Sequence, residues 1–181
     1  MRGRLLNSFV MALLTLAAMA QAAAASAALP LSRIELPPGF RIELFARVPN
    51  ARQMALGNAT LFVGSMRTEK VYAVPLHNPA KPVVIADGLD MQVGVAFRDG
   101  DLYVSAASRI LRLLDIEAHR NQPPRPEVVS QAYPADTHHG WKFIAFGPDG
   151  KLYVPVGAPC NICEPTPDRY AAITRLDVTS G

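Results

Sequence analysis

Cysteine, aromatic residues and net charge are all scarce in this sequence of 181 residues. Its two cysteines exclude a small disulfide-dense scaffold. The formal net charge of +3 comes without the strong basic cluster of a dedicated nucleic-acid binder, so we expect no nucleic-acid partner. The sequence also lacks a glycine-rich phosphate loop, a serine nucleophile elbow and an HExxH zinc motif. Half of the residues are hydrophobic, which is typical of a folded globular protein.

The first 28 residues have the layout of a secretory signal peptide. A basic head at residues 1–4 precedes an apolar run at residues 5–20 and a tract of small residues that ends at Ala28. This order predicts a cleaved signal and a periplasmic or secreted protein, with residues 29–181 forming the folded domain. The alternative is a retained anchor, because no charged residue occurs from Leu5 to Ser32 and such a run can span a bilayer. Only a retained segment would attach the protein to a membrane.

A strand–turn–strand unit recurs three times after the signal segment. Its most regular part is a Leu-aromatic-Val triplet, which begins at Leu61, Leu102 and Leu152. A tight polar turn precedes each triplet and a short apolar segment precedes each turn, as in β-hairpins. We predict inner strands at 54–56, 95–97 and 144–146, third strands at 70–74, 109–113 and 172–176, and outer strands at 82–86, 127–130 and, as a closing strand, 41–46.

Antiparallel strands that recur at this spacing are typical of a β-propeller. The alternative is a β-sandwich with coincidental spacing. At roughly 45 residues per blade, the sequence provides about three blades, whereas a closed propeller needs at least about four. We therefore predict an all-β chain that forms about three blades of a larger propeller, and we expect the sequence to be truncated.

Two unusual loops are predicted to lie on the same face of the propeller. Residues 136–142 enter the third inner strand and contain two adjacent histidines and the only tryptophan, Trp141. The loop after the third triplet is long, because 21 positions separate Leu152 from Ile173 where 10 separate Leu61 from Val71. A long loop beside a histidine pair at the axis of a propeller indicates a binding or catalytic site.

His139 is the candidate general base of this site. A neutral imidazole in a concave site suits proton abstraction near neutral pH, whereas a histidine that merely bonds a loop carbonyl is the structural alternative. If the inner strand is extended to that point, His139 lies on the same side as Ala145. Alignment of the inner strands places Asp90 at the equivalent position of the second blade. By position on the same face, we predict that Asp90, His138, Trp141 and Lys142 contact a ligand.

Cys160 and Cys163 have several interpretations, of which a local disulfide is favoured behind a signal peptide. A redox-active pair would be expected at a helix N-terminus. A c-type haem would need histidine where Glu164 stands, and zinc would need a second pair of ligands.

Residues 138–154 resemble the glucose/sorbosone dehydrogenase family, and residues 36–40 and 156–163 resemble its sorbosone-type branch. The resemblance covers roughly residues 35–181 and implies the amino-terminal part of a six-bladed propeller. Members of this family bind pyrroloquinoline quinone (PQQ) with calcium and oxidise sugars or sugar aldehydes. The resemblance implies that His139 removes the proton of the substrate while a hydride passes to the quinone and calcium polarises the quinone carbonyl. Asp90, His138, Trp141 and Lys142 would then contact the cofactor.

The sequence departs from the family in two ways. Ala158 stands where glucose-oxidising members have an aspartate that orients the histidine, so the acidic orienter is either lost or supplied elsewhere, for instance by Asp136 or Asp90. Most family residues that bind calcium and PQQ are expected beyond residue 181, so we expect the sequence to be inactive by itself. The alternative function is a non-catalytic NHL-like propeller that binds a ligand or a protein partner.

Overall fold

A computed structural model describes residues 29–164 and 169–180, and its regular structure is almost entirely β. The chain divides into two compact units, one that ends at Glu43 and one that begins at Leu44. Within its described residues, the first unit contributes a 3-10 turn at Leu31–Arg33. The predicted signal peptide lies outside the described residues. In the part of the chain that the structure describes, no helix has the length and apolar character needed to cross a membrane.

The second unit contains three antiparallel sheets whose strands follow one another along the chain. The first two sheets have four strands each, and the third has three among the described residues. These meanders confirm the prediction of an all-β chain with three propeller blades. The elements are β1 (Ala51–Leu56), β2 (Thr60–Ser65), β3 (Lys70–Pro75), β4 (Val83–Asp87), β5 (Val95–Arg98), β6 (Asp101–Ser105), β7 (Ile110–Leu113), α1 (Ile116–His119), β8 (Glu127–Ser130), β9 (Ala145–Phe146), β10 (Leu152–Val156) and β11 (Ala172–Leu176).

Two strand predictions need correction. Residues 41–46 form no strand, and the apolar side chains of Ile42, Leu44 and Phe45 are all exposed. A β-prone segment needs a partner ladder, and these residues have none in the described part of the chain; only Ala46 is partly buried, against the cluster of Val63, Tyr72 and Val74. The third inner strand is also shorter than predicted, because β9 contains only Ala145 and Phe146.

Alternation along the strands builds two cores, one on each side of the second sheet. In β6, Leu102 and Val104 pack into the core shared with the first sheet, together with Phe62. Tyr103 points to the opposite face and packs into the core shared with the third sheet, together with Leu152. Successive side chains of a strand point to opposite faces, so one strand serves both cores. The second sheet is therefore buried on both sides, as expected for the middle of three stacked blades.

Polar contacts near the inner strands join the sheets at the end where the entry loops lie. The Gln53 side chain of β1 donates to the Ile144 carbonyl at 2.7 Å and accepts from the Ile144 N–H at 3.0 Å. Ser105 at the end of β6 donates through Oγ to the Lys142 carbonyl at 2.8 Å. Gly94 makes this approach possible, because a Cβ there would lie 2.0 Å from the same carbonyl oxygen. The entry loop of the third sheet is thus held by both of the preceding sheets.

At the opposite end, a carboxylate joins the first two sheets. Glu117 of α1 accepts hydrogen bonds from the backbone N–H groups of Asn58 and Ala59 in the β1–β2 turn, at 3.1 and 2.9 Å. Burial by itself would raise the pKa of Glu117, but the hydrogen bonds from Ala59 and Asn58 outweigh it and the pKa is lowered. The ionised carboxylate is therefore the form that stabilises the fold.

Glu117→Gln is expected to reduce the free energy of unfolding at pH 7 by about 1 kcal/mol, since the amide accepts these hydrogen bonds less well. A carboxyl group with a lowered pKa stabilises the protein above its unfolded-state pKa, and this contribution is lost as the pH falls through the folded-state value. The difference in free energy of unfolding between wild type and variant should therefore become smaller in acid. Urea unfolding at pH 7 and at pH 3 measures it, with the exposed Glu35→Gln as control. A difference that persists unchanged in acid would contradict the role of the charge.

Candidate functional site

The predicted base, His139, lies in a turn and not in an extended strand. Its φ of 52° is in the left-handed region, and the turn is closed by a hydrogen bond from the Gly140 N–H to the Thr137 carbonyl at 3.2 Å. The condition under which His139 was predicted to share a side with Ala145, a strand extended as far as His139, is therefore not met. Because β9 begins only at Ala145, the chain is free to turn the histidine independently of strand register.

A backbone carbonyl orients the imidazole of His139. Nδ1 lies 3.1 Å from the carbonyl oxygen of Ala158, which can only accept a hydrogen bond. A proton on Nδ1 fits this contact, and Nε2 makes no hydrogen bond to the residues that the structure describes. Asp136 and Asp90, the candidates for an acidic orienter, do not make this contact. Gly157 allows the two segments to meet, because a Cβ there would lie 2.4 Å from the His139 carbonyl oxygen.

His138 reaches the long loop that follows β10. Its Nε2 lies 3.2 Å from Oδ1 of Asn161, and its ring centroid is 4.0 Å from that of His139. The structure pairs Cys160 with Cys163 in a disulfide that encloses Asn161. The entry loop with the two histidines therefore contacts the long loop after β10 twice, through His138 to Asn161 and through His139 to Ala158.

The Cys160–Cys163 disulfide is expected in protein purified from an oxidising compartment. An alkylating reagent should label neither cysteine before reduction and both after it, as measured by mass spectrometry. His138→Ala is expected to leave this pattern unchanged. Two labelled thiols in the unreduced, folded protein would contradict the pairing.

Trp141 and Phe143 border an open cavity of ≈ 290 Å³ that is also lined by Arg52, Met66 and Val93. Trp141 is 39% exposed and Phe143 is 49% exposed, so two aromatic faces are available to a ligand. The Trp141 ring also meets His139 edge-on, with centroids 6.4 Å apart. The cavity therefore combines aromatic surface with one guanidinium, and the Trp141 ring connects it to the imidazole.

His139 itself lines a second, much smaller crevice of ≈ 10 Å³, together with other residues of its entry loop and with Val156, Gly157 and Tyr170. Tyr170 donates to Oδ2 of Asp136 at 2.7 Å. This hydrogen bond, and then burial, raises the pKa of Tyr170. The crevice is too small to hold a sugar, and the larger cavity beside Trp141 is not lined by His139.

In the described part of the chain, neither of the remaining two predicted contacts, Asp90 and Lys142, is hydrogen-bonded to the imidazole, although Lys142 lines the same crevice as His139. Asp90 is exposed, and its backbone carbonyl accepts from the Ala107 N–H at 2.9 Å. Lys142 is 2% exposed, and its ammonium donates to the carbonyls of Ala107 and Gly140 at 2.5 and 2.8 Å. Burial lowers the pKa of Lys142, and Asp136 partly opposes this effect. Lys142 therefore stabilises the entry loop of the third sheet through these hydrogen bonds. Its contact with a cofactor stays a prediction.

The site fits part of what the family resemblance implies. PQQ is planar and anionic, and the cavity offers aromatic faces and Arg52. Calcium has no such match in the described residues, which contain no group of three or more His, Cys, Asp or Glu side chains able to hold a metal ion. No calcium ligand is assigned on this basis.

Comparison with solved structures decides the fold. The PQQ-bound form of aldose sugar dehydrogenase from Streptomyces coelicolor matches with a TM-score of 0.57 and 21% identity over 74% of this chain and 46% of that one. The chain has the fold of a PQQ-type sugar dehydrogenase. A Thermus thermophilus oxidoreductase, proposed to be a glucose dehydrogenase, matches with a TM-score of 0.51 and 21% identity over 66% of this chain and 41% of that one.

The chain spans less than half the length of these two sugar dehydrogenases. No family model and no curated protein matches the sequence itself. The likeness to the sugar dehydrogenases is therefore one of fold, and the predicted propeller is confirmed by it.

Several residues of the site were not found by sequence reasoning. The family resemblance had marked Ala158 as the place of a missing aspartate, but its carbonyl and the bare backbone of Gly157 have no chemical signature in a single sequence. Arg52 lies on an inner strand of a different blade, and Tyr170 belongs to the long loop. The length of that loop was the available signal, since it pointed to the segment that supplies Ala158 and Tyr170.

Proposed function

We propose that this chain carries the general base of a PQQ-dependent dehydrogenase that oxidises sugars at a hydroxyl or aldehyde-hydrate carbon. The observation that carries the proposal is the orientation of His139, whose Nδ1 faces the Ala158 carbonyl and whose Nε2 is left free. The fold shared with a PQQ-bound aldose sugar dehydrogenase supports the cofactor and the substrate class. The resemblance of residues 156–163 to the sorbosone-type branch makes sorbosone and glucose the first substrates to test.

His139 would act by holding and moving one proton. Its Nε2 accepts the proton of the substrate hydroxyl, and the Nδ1–H keeps its hydrogen bond to Ala158. That bond strengthens when the ring becomes cationic, so it stabilises the state in which the proton has moved. When bound, PQQ supplies the two-electron acceptor for the hydride from the sugar carbon.

Trp141, Phe143 and Arg52 would hold the cofactor in the cavity beside the imidazole. Aromatic faces pack well against a planar quinone, and a guanidinium matches the geometry of a carboxylate. His138 borders the same turn and is held by Asn161. Asp90 and calcium stay predictions of the family resemblance, and the proton transfer described for His139 needs neither.

We also propose that the protein is exported by residues 1–28 and works in the periplasm or outside the cell. The order of basic, apolar and small residues in that segment supports export. A disulfide between Cys160 and Cys163 is in keeping with an oxidising compartment.

The test is reconstitution of the polypeptide encoded by the whole gene. Calorimetric titration with PQQ, with and without calcium, measures binding, and reduction of an artificial dye by a panel of aldoses measures turnover. Saturable binding and PQQ-dependent dye reduction would support the proposal. A folded protein that binds no PQQ would overturn it and favour a non-catalytic, ligand-binding propeller.

A further inference from the structure

We infer that Lys142 is a positioning residue that fixes the orientation of His139 through the backbone of Gly140. This inference deepens the proposed function, on which its catalytic consequence rests. Its structural content concerns only residues of the described chain and can be tested without a cofactor.

Lys142 is a buried lysine whose ammonium is hydrogen-bonded to backbone carbonyls in place of water. Its side chain is 2% exposed, and its ammonium donates to the carbonyl oxygens of Ala107 and Gly140. The Tyr133 ring centroid lies 5.9 Å from Nζ. A lysine is rarely buried to this extent, because removal of its charge from water is costly unless hydrogen bonds compensate. The two buried carbonyls at this position therefore need a hydrogen-bond donor, which a hydrophobic side chain would not supply.

The two carbonyls lie in loops that belong to different sheets. Ala107 lies in the turn between β6 and β7, and its N–H donates to the carbonyl of Asp90 in the entry loop of the second sheet. Gly140 directly follows His139 in the entry loop of the third sheet. The ammonium of Lys142 thus ties the histidine turn to a turn that is itself anchored to the second sheet.

The histidine turn is held from two sides. On one side, the ammonium of Lys142 holds the Gly140 carbonyl at 2.8 Å. On the other side, Gly157 packs against the His139 backbone and the Ala158 carbonyl holds Nδ1 at 3.1 Å. The left-handed φ of 52° at His139 is a strained conformation for a residue with a side chain, so it persists only where its surroundings impose it.

Loss of the Lys142 ammonium would leave two buried carbonyls without a donor and free the turn to relax. The hydrogen bond of His139 Nδ1 to Ala158 depends on that turn, so the imidazole would lose its fixed tautomer. A purely structural lysine would lower stability when replaced but would leave the tautomer of a folded variant unchanged. The two roles therefore differ in a spectroscopic property of His139.

The experiment is nitrogen-15 NMR of the histidine rings in wild type, Lys142→Met and Lys151→Met. Lys151 is the matched control, because its ammonium also binds a partner, Asp177, but lies after the β9–β10 turn. We expect one dominant His139 tautomer, protonated on Nδ1, in wild type and Lys151→Met, and a mixture of both tautomers in Lys142→Met. An unchanged tautomer in folded Lys142→Met, or the same mixture in Lys151→Met, overturns the inference.

A second measurement decides the case in which Lys142→Met does not fold. In wild type, Lys142 should give a slowly exchanging ammonium signal whose chemical shift changes in His139→Ala. Absence of this signal, or a shift that is indifferent to His139, overturns the inference.

Turnover distinguishes this inference from the proposed function. Lys142→Met should lower kcat/KM for PQQ-dependent sugar oxidation by about 100-fold, as expected when a reacting group is misplaced by about 1 Å, while Lys151→Met leaves it unchanged. If His139 loses its tautomer in Lys142→Met but the wild type oxidises no sugar, the proposed function fails and the positioning role stands. If the wild type turns over and Lys142→Met keeps both tautomer and rate, only the positioning role fails.

Discussion

His139→Ala is expected to lower PQQ-dependent sugar oxidation by about 10²- to 10⁴-fold, the range that removal of a general base produces. The alanine variant keeps the backbone but has no group to accept the substrate proton. Its fold should be preserved, because the imidazole is partly exposed and its hydrogen bond is to a loop carbonyl. The measurement is steady-state kcat/KM with dye as acceptor, after circular dichroism has established that the variant folds.

A histidine outside the site supplies a matched control. His77→Ala removes the same side chain from an exposed position in the loop between β3 and β4, and should leave the rate nearly unchanged. Imidazole added to the buffer should restore part of the activity of His139→Ala, since it can enter the space left by the ring. Equal losses in the two variants, or full activity in His139→Ala, would show that His139 is not the base.

Phe62→Ala is expected to reduce the free energy of unfolding by about 3–5 kcal/mol, which is the usual cost of a large cavity in a packed core. Phe62 is fully buried between the first two sheets and stacks on Phe97, with ring centroids 5.4 Å apart. Domains of this kind have a total stability of only about 5–15 kcal/mol, so the variant should be close to unfolding at 25 °C. Urea unfolding followed by circular dichroism measures the change.

Phe40→Ala is the control for this prediction, because Phe40 is 72% exposed. Its free energy of unfolding should stay within about 0.5 kcal/mol of the wild-type value. The free energy of unfolding of Phe62→Leu should lie between those of Phe62→Ala and the wild type, since leucine fills part of the cavity. A midpoint for Phe62→Ala that matches the wild type would mean that the core between the first two sheets is not closed in solution.

The strands were largely predictable because each carries its own local signal. The alternation of β6 shows directly in the triplet at Leu102, and the turn before it, Asp99 and Gly100, has positive φ values of 52° and 91° as expected for a tight hairpin. The segment at residues 41–46 has the same local composition and forms no strand. A strand forms only where another segment pairs with it, and the sequence of the segment alone does not show whether such a partner is present.

The meeting of the two loops was predictable, but their contacts were not. The histidine pair, the lone tryptophan and the long loop belong to segments that the structure brings together. The groups that orient His139 are a backbone carbonyl at Ala158 and, through Gly140, the buried ammonium of Lys142. Carbonyls are present at every residue, and a lysine in a sequence indicates a solvated surface by default. Only the fold shows which carbonyl and which lysine are used.

The hydrogen bonds between Gln53 and Ile144 join residues 91 positions apart in the chain. Within each sheet, by contrast, every strand pairs with a strand that is adjacent in sequence, so these pairings have low contact order and can form early. The long-range bonds can form only after the chain has been made as far as Ile144, directly before β9. During synthesis on a ribosome, the first meander would emerge before Ile144 and Gln53 would stay unpaired until that residue is made. Closure of the histidine face is therefore a late step of folding.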